Sequence, residues 1–125
     1  MSYMLDTSAC INLLRGVQPP AEIEGQACCI SAVVESELWA GVHHAGGKRE
    51  KKKVQILLDA VKVLPFESEA AQATGRLLAY LTGKGIQIGD FDTQIAAHAR
   101  CTDSTLVTAN AKHFKRVPDL KLFIW

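Results

Sequence analysis

Short apolar runs, of the length of buried strands, recur along the chain between longer segments whose apolar residues are spaced as on one face of a helix. The runs predicted as strands are 3–6, 26–30, 63–65, 105–108 and 120–124. The segments predicted as helices are 9–15, 21–24, 32–44, 48–61, 67–83, 91–100 and 111–114. Strands that alternate with helices predict right-handed βαβ units, and therefore an α/β fold with a central parallel sheet flanked by helices.

Cap residues support three of the predicted helix starts. Ser8, Ser31 and Asp90 each precede a helical pattern, and their side chains can accept hydrogen bonds from the free N–H groups of a first turn. The sequence contains no internal repeat and no segment with the composition of a linker. We therefore expect a single domain over residues 1–125.

Composition excludes several classes of protein. Of the 125 residues, 48% are hydrophobic and 22% are charged, which is typical of a globular domain and not of a disordered chain. The apolar stretches are far shorter than the roughly 20 residues that a membrane helix needs. The amino terminus lacks the basic region of a secretion signal, so we expect a cytoplasmic protein. Its four cysteines lack the spacing of a zinc site and are expected to be small buried side chains.

Acidic side chains fall where a parallel α/β sheet binds ligands, which is beyond the carboxyl ends of its strands. Asp6 follows the first strand, Glu37 lies in the helix after the second, and Asp92 lies in the first turn of a helix that starts at the same edge. Three carboxylates without cysteine or histidine at ligand spacing indicate a hard-oxygen site, which suits Mg²⁺ or Mn²⁺. Supporting side chains expected at this edge are Thr7, Ser8, Asp90, Thr108 and Asn110.

Each acid also has a purely structural interpretation. Asp6 could cap the first helix, and Asp90 and Asp92 could be ordinary first-turn acids of their helix. Glu37 lies beside the apolar stripe of its helix, where an arginine partner could hold it in a buried salt bridge. The residues alone leave these alternatives open.

Five segments of the chain also resemble a known family. They are 4–8, 31–41, 88–99, 106–110 together with Phe114, and 117–120, and they read MLDTS, SAVVESELWAG, IGDFDTQIAAHA, LVTAN and VPDL. In this order they resemble the PIN-domain ribonucleases, and among these the VapC-type toxins of bacterial toxin–antitoxin pairs. The match extends over nearly the whole chain, so the combination is specific although each segment alone is weak.

The resemblance implies a PIN-like three-layer fold and an endoribonuclease that depends on Mg²⁺ or Mn²⁺. Asp6, Glu37 and Asp92 match the family's three principal acids, which implies that they are catalytic residues and metal ligands. Asn110 stands where many members have a fourth acid, and Thr108 matches a hydroxyl that is often near the metal. The position of Asp90 varies in the family, which agrees with a secondary role.

The resemblance also implies partners. They are an RNA substrate, with tRNA and the anticodon loop of initiator tRNA as the expected target, and a VapB-type antitoxin whose tail would block the active-site groove. A homodimer within a larger toxin–antitoxin assembly is implied as well, and no membrane association is expected. Apolar residues of the early helices that could contact a partner are Ile11, Leu13, Leu14, Trp39 and Val42.

Basic side chains near the acids are candidates for binding RNA phosphates. Lys112, Lys115 and Arg116 are expected to do so, because they come soon after the fourth strand. The basic run 48–53 could line a path for RNA or form the solvated start of a helix. The implied mechanism requires no histidine. The histidines interpreted as surface or packing residues are His43, His44, His98 and His113.

Other α/β enzymes with an acid after the first strand fit the sequence less well. A haloacid-dehalogenase-like site needs a second acid where this chain has Ser8. A response-regulator receiver needs an aspartate after the third strand, where this chain has Pro65. The alternative from another class is a non-catalytic PIN-type module that binds RNA or protein, and the presence of all three acids argues against it.

Overall fold

The computed structural model describes residues 2–125, which form a five-stranded sheet and six helices. The strands are β1 (Tyr3–Leu5), β2 (Cys28–Ser31), β3 (Lys62–Leu64), β4 (Thr105–Thr108) and β5 (Leu122–Ile124). The helices are α1 (Thr7–Leu14), α2 (Ala32–Ala45), α3 (Lys48–Ala60), α4 (Ser68–Gly83), α5 (Asp90–Cys101) and α6 (Ala111–Phe114). All neighbouring strands are parallel, in the order β3-β2-β1-β4-β5, so the predicted α/β fold is confirmed.

The order in which the chain adds strands to the sheet reverses at the central strand β1, because β2 and β3 lie on one side of it and β4 and β5 on the other. This strand pairs with β2 on one side and with β4 on the other, where Leu5 lies opposite Val107. Asp6 and Thr108 follow these two paired residues, so they emerge side by side at the carboxyl edge. A reversal of this kind opens a crevice between strand ends, which is where open α/β sheets bind ligands.

The core lies on both faces of the sheet, which explains why the strands are apolar without strict alternation. Met4, Ile30 and Leu106, in β1, β2 and β4, are fully buried. Every residue of the segment 95–99 in α5 is buried as well. Three of those five residues are alanines, whose small side chains let α5 lie close to its neighbours. Asp92, in the first turn of α5, is therefore part of a helix that is firmly packed in the core.

The starts of α1 and α2 show one correct and one wrong cap prediction. Ser31 caps α2 as predicted, since its Oγ accepts a hydrogen bond from Val33 N at 3.1 Å. The N-cap of α1 is Asp6 and not Ser8, because the Asp6 carboxylate accepts a hydrogen bond from Ala9 N at 2.8 Å. The alternative that Asp6 caps the first helix is thus correct.

The start of α5 and the segment 21–24 also differ from prediction. Asp90 is the first residue of α5 and not its N-cap, which is Gly89. Gly89 has a φ of 93°, a conformation that a residue with a side chain rarely adopts. Segment 21–24 forms a turn in which two N–H groups donate to the Pro20 carbonyl, and it does not continue as a helix.

Two expectations from composition can be compared with the structure. All four cysteines are free thiols, with Cys10 and Cys29 buried and Cys28 and Cys101 half-buried. Burial raises the pKa of each of these thiols, so they stay protonated. Within residues 2–125, no helix combines the length and the apolar character that crossing a membrane requires.

Candidate active site

Asp6 is the most deeply buried of the three predicted acids, with 3% of its surface exposed. Both of its carboxylate oxygens accept hydrogen bonds. Oδ1 accepts from Ala9 N at 2.8 Å and from Ser8 Oγ at 2.7 Å, and Oδ2 accepts from Thr108 Oγ1 at 2.5 Å. Because one residue makes all three contacts, Asp6 caps α1 and also lies at the centre of the candidate site.

The two hydroxyls that contact Asp6 are held by the backbone between β4 and α6. Ala109 N donates to Ser8 Oγ, and Asn110 N donates to Thr108 Oγ1, both at 2.9 Å. Each hydroxyl therefore accepts from an amide and donates to the carboxylate, an arrangement in which the bonds polarise one another. Both hydroxyl protons point at Asp6, so the 3.2 Å separation of the two hydroxyl oxygens is only a packing contact. These two hydroxyl bridges join the start of α1 to the end of β4.

Within residues 2–125, the charge of Asp6 has no cationic partner. Burial raises the pKa of this carboxyl above its ordinary value, and the negative charge of Asp92 raises it further. The hydrogen bonds from Thr108, Ala9 and Ser8 act in the opposite direction, because they stabilise the ionised form. Among residues 2–125, no lysine or arginine forms an ion pair with Asp6.

Glu37 extends from α2 toward the same edge of the sheet. Its Oε1 accepts a hydrogen bond from Thr7 Oγ1 at 2.6 Å, so the hydroxyl next to Asp6 in sequence holds the second acid. Burial raises the pKa of Glu37, the bond from Thr7 lowers it, and the charges of Asp92 and Asp6 raise it further. Its partner within the described chain is this hydroxyl and not an arginine, so the buried salt bridge left open by the sequence is wrong.

Asp92 is the third residue of α5, and 29% of its side chain is exposed. Its Oδ2 lies 3.0 Å from Nδ1 of His113, which belongs to the short helix α6. The interpretation of His113 as a surface or packing residue did not include this contact with a candidate site acid. The signal available in the sequence was its place three residues after Asn110, at the edge of the sheet that carries the site.

The remaining predicted site residues lie at the rim. Asn110 is exposed, and its backbone N–H rather than its side chain takes part in the hydrogen bonds around Asp6. Asp90 is exposed at the first position of α5. The basic side chains predicted to contact RNA are all exposed; they are Lys112, Lys115 and Arg116. The basic run 48–53 is exposed on α3.

His98 agrees with its interpretation as a packing residue. It is buried, its Nδ1 lies 2.8 Å from Ser31 Oγ, and the ring of Phe66 meets its edge at a centroid distance of 5.4 Å. Burial lowers its pKa, which favours the neutral ring. His43 and His44 lie exposed at the end of α2, as a surface interpretation requires.

The donor set fits a hard divalent cation in its chemistry. Three carboxylates lie near enough for the charge of Asp92 to raise the pKa of Asp6 and of Glu37, and a cation relieves such repulsion. In the described chain, Oε2 of Glu37 and Oδ1 of Asp92 accept no hydrogen bond. As the side chains stand, no three acidic, histidine or cysteine residues within 2–125 close around a single point. The oxygen ligands suit Mg²⁺ or Mn²⁺.

Replacing Glu37 with glutamine should raise the thermal midpoint of the metal-free protein at pH 7 by about 2 °C. Glutamine can keep the bond from Thr7 while it removes a charge that Asp6 and Asp92 repel. The folded-state pKa of Glu37 is raised, so the stability that its protonated form provides is present at about pH 4 and is lost as the pH rises through that pKa. The rise in thermal midpoint caused by Glu37→Gln should therefore vanish at about pH 4.

The measurement is thermal unfolding at both pH values in the presence of a chelator. Glu22→Gln is the matched control, since Glu22 is exposed and its neutralisation should change the midpoint at neither pH. Added Mn²⁺ should stabilise the Glu37→Gln protein less than the unmodified protein. A lower midpoint for Glu37→Gln at pH 7 would show that the carboxylate is stabilising and contradict the repulsion described above.

A groove of about 410 Å³ extends from Glu37 between α1, α2 and α3. Thr7 and Glu37 line it together with the charged side chains of Arg15, Glu50 and Lys53. The predicted partner contacts that line it are Ile11, Leu14 and Val42. A second cleft of about 460 Å³, lined by Leu13 and Leu14 among others, contains none of the three acids, and Trp39 lines neither cleft.

Fold and site together define the class of the protein. The family described as PIN domain matches residues 3–120, which is nearly the whole chain. The chain therefore belongs to the PIN-domain family, as the resemblance implied.

Relatives of this chain include VapC ribonucleases. Ribonuclease VapC2 of Rickettsia felis is 34% identical over 132 residues, which cover 100% of this chain and 98% of the relative. A tRNA(fMet)-specific endonuclease VapC of Shigella flexneri is 31% identical over 130 residues, with the same two coverages. The crystal structure of Rickettsia felis VapBC2 bound to a DNA fragment from its promoter contains a chain with 33% identity and a TM-score of 0.90, covering 100% of this chain and 99% of that one.

Proposed function

We propose that the chain is the toxin of a type II toxin–antitoxin pair, and that it is an endoribonuclease that cleaves RNA phosphodiester bonds with Mg²⁺ or Mn²⁺. The observation that carries the proposal is the convergence of Asp6, Glu37 and Asp92 at one edge of the sheet, without a lysine or arginine paired to any of them in the described chain. The names of the VapC relatives support the ribonuclease activity.

The three carboxylates would have different roles, according to the hydrogen bonds that hold each of them. Asp6 is fixed by three donors, so it would hold a cation without reorganising. Asp92 and Glu37 each keep one carboxylate oxygen without a hydrogen bond in the described chain. The second carboxylate oxygen of Glu37 would accept a proton from the attacking water. When bound, the cation would activate that water and offset the charge that develops on phosphorus and on the leaving oxygen.

The proposed substrate is tRNA. Support comes from the name of the Shigella flexneri relative, a tRNA(fMet)-specific endonuclease, and initiator tRNA is accordingly the first candidate. The exposed Lys112, Lys115 and Arg116 lie on or just after α6, next to the acids, and their charges suit RNA phosphates. The exposed run 48–53 offers a second basic surface on α3.

The proposed protein partners are a VapB-type antitoxin and a second copy of the chain. The VapBC2 structure of Rickettsia felis supports the first, because it contains a chain that matches this one over 99% of its length. The groove lined by Ile11, Leu14 and Val42 would accept an apolar segment of an antitoxin next to Glu37, where it would block the site. Exposed apolar side chains support a homodimer; they include Leu78, Tyr80 and Phe91.

Incubation of the purified, antitoxin-free protein with total tRNA tests the activity. Discrete fragments are expected with Mg²⁺ or Mn²⁺ and none with a chelator, because the acids need a cation to activate water. Sequencing the new ends identifies the target and the cleaved bond. Binding of the same tRNA should be measured in the chelator, where no cleavage is expected.

The two measurements separate the proposal from its alternative. A folded protein that binds tRNA but leaves tRNA and total RNA intact with either metal would be a non-catalytic binding module. Fragments of equal yield in the chelator would contradict the role of the cation while leaving the ribonuclease activity in place.

A further inference from the structure

The contact between His113 and Asp92 is a side-chain pair that the proposed mechanism does not use. Nδ1 of His113 lies 3.0 Å from Oδ2 of Asp92, although 20 residues separate them along the chain. An ionised carboxylate only accepts hydrogen bonds, so Nδ1 carries the proton and donates it. The contact thus joins the start of α5 to the short helix α6.

The backbones on both sides of this contact are firmly placed. His113 precedes Phe114, which is 1% exposed and anchors α6 in the core. Lys115 N donates to the Ala111 carbonyl at 3.0 Å and closes the turn that contains His113. Asp92 is followed by the buried Thr93. With both backbones fixed, the freedom left at this point is the rotation of the two side chains, which are 39% exposed for His113 and 29% exposed for Asp92, and their contact restrains both.

Each of the three acids has at least one side-chain hydrogen-bond donor of its own. Ser8 and Thr108 hold Asp6, Thr7 holds Glu37, and an imidazole holds Asp92. Asp6 and Glu37 are held by hydroxyls of α1 and β4. Asp92 has a donor only in His113 among the described side chains. Loss of that donor would leave this carboxylate as the one acid of the three without a fixed orientation.

We propose that His113 is a positioning residue: its Nδ1–H holds Oδ2 of Asp92, so that Oδ1 faces the cation site. The proposal rests on the proposed function, because it concerns the cation that function requires. A donor behind a metal ligand fixes the orientation of the ligand, and its removal usually lowers metal affinity by about 10- to 100-fold. Neither His113 nor any other histidine needs to touch the metal or the RNA for this role.

Two isosteric substitutions distinguish positioning from simple packing. The side-chain amide nitrogen of asparagine can occupy the place of Nδ1, whereas that of glutamine falls near the place of Nε2. His113→Asn should therefore keep the affinity for Mn²⁺ within about threefold, and His113→Gln and His113→Ala should lower it by about tenfold or more. His44→Ala, the same change at an exposed histidine near the end of α2, is the matched control and should leave the affinity unchanged.

Mn²⁺ binding is measured directly, by calorimetry or electron paramagnetic resonance, on the antitoxin-free protein without RNA at one fixed pH. In a parallel cleavage assay, the concentration of Mn²⁺ that gives half the maximal rate should rise for His113→Ala and His113→Gln. The rate at saturating Mn²⁺ should recover toward that of the unmodified protein. Such recovery is expected of a group that orients a ligand and does not itself react.

Several outcomes would overturn the proposal. Equal affinities for all four variants and the unmodified protein would show that the contact only ties α5 to α6, especially if His113→Ala lowers the thermal midpoint in the chelator. Tighter binding by His113→Ala would show that the histidine competes with the cation for Asp92. Failure of the unmodified protein to bind Mn²⁺ would overturn the metal-dependent function together with this proposal, and that result is distinct from the other two.

Discussion

Asp92→Asn is expected to lower metal-dependent RNA cleavage by about 1,000-fold. Asparagine has nearly the shape of aspartate, and its carbonyl oxygen can still accept the hydrogen bond from Nδ1 of His113. The change therefore removes one negative charge and little else. In the proposed mechanism Asp92 is a cation ligand, and a neutral amide in its place would bind the cation much more weakly. Toxicity in cells should disappear with the cleavage.

Asp90→Asn provides the matched control for this experiment. Asp90 lies two residues earlier, is exposed, and belongs to the same first turn of α5, so any general effect of charge on the helix end is shared. Cleavage by Asp90→Asn should stay within about threefold of the unmodified rate, since surface changes of this kind are usually small. In the chelator, Asp92→Asn should unfold slightly above Asp90→Asn, because, of these two aspartates, only Asp92 carries a charge that repels Asp6 and Glu37. A folded Asp92→Asn protein that still cleaves RNA and kills cells at full strength would refute the assignment of Asp92.

Thr108→Val is expected to lower the free energy of unfolding by about 1.5–3 kcal/mol at pH 7. Valine matches threonine in shape, but it removes the donor to Oδ2 of Asp6 and leaves Asn110 N without its acceptor. Thr108 has 0% of its surface exposed, so water cannot easily replace the lost contacts. The pKa of Asp6, already raised by burial, should rise further without this donor.

The sign of the pH dependence follows from that pKa. Below the ordinary pKa of an aspartate, Asp6 is protonated in both the folded and the unfolded chain, and the loss caused by Thr108→Val should be smaller there. As the pH rises through the raised folded pKa, the ionised carboxylate lacks its donor and the loss grows to its full size. Denaturant unfolding in a chelator at pH 7 and at the lowest pH where the protein stays folded measures both values.

Thr108→Ser controls for the loss of packing. Serine keeps the hydroxyl and removes one buried methyl group, which should cost about 1 kcal/mol with no dependence on pH. A loss of equal size in the two variants, or a loss for Thr108→Val that does not change with pH, would mean that the hydrogen bond to Asp6 contributes little.

The sequence was sufficient for the features that depend on local pattern and strand ends. Alternation of apolar runs and helical segments predicted the parallel sheet, and position after a strand predicted that Asp6 and Thr108 belong to one site. Their direct contact follows from the pairing of β1 with β4, which are about a hundred residues apart in the chain. Propensity and periodicity contain no information about which strands become neighbours, so the distance between these two side chains could be learned only from the fold.

The contact of His113 with Asp92 and the cap of α1 could not be predicted, for different physical reasons. The helix that carries His113 has four residues, too few for a period to show which face meets α5. For α1, Asp6 and Ser8 are both good cap residues, and the choice between them depends on the distant amides of Ala109 and Asn110. These amides, near the other end of the chain, donate hydrogen bonds to the hydroxyls of Ser8 and Thr108. Asp6 is then the residue that accepts the N–H group of the first turn of α1.

The double use of Asp6 has a consequence for how this site can change over generations of descent. Glu37 and Asp92 are held by single contacts on the outer side of the site, so a lineage that no longer needs the chemistry could replace either with little harm to the fold. Asp6 caps α1 and accepts hydrogen bonds from the hydroxyls of Ser8 and Thr108. Its loss would therefore destabilise α1 and the end of β4, whether or not the protein cleaves RNA. In a descendant that has lost its activity, Asp6 should therefore be retained longer than Glu37 and Asp92. Only the presence of all three acids together indicates an active enzyme.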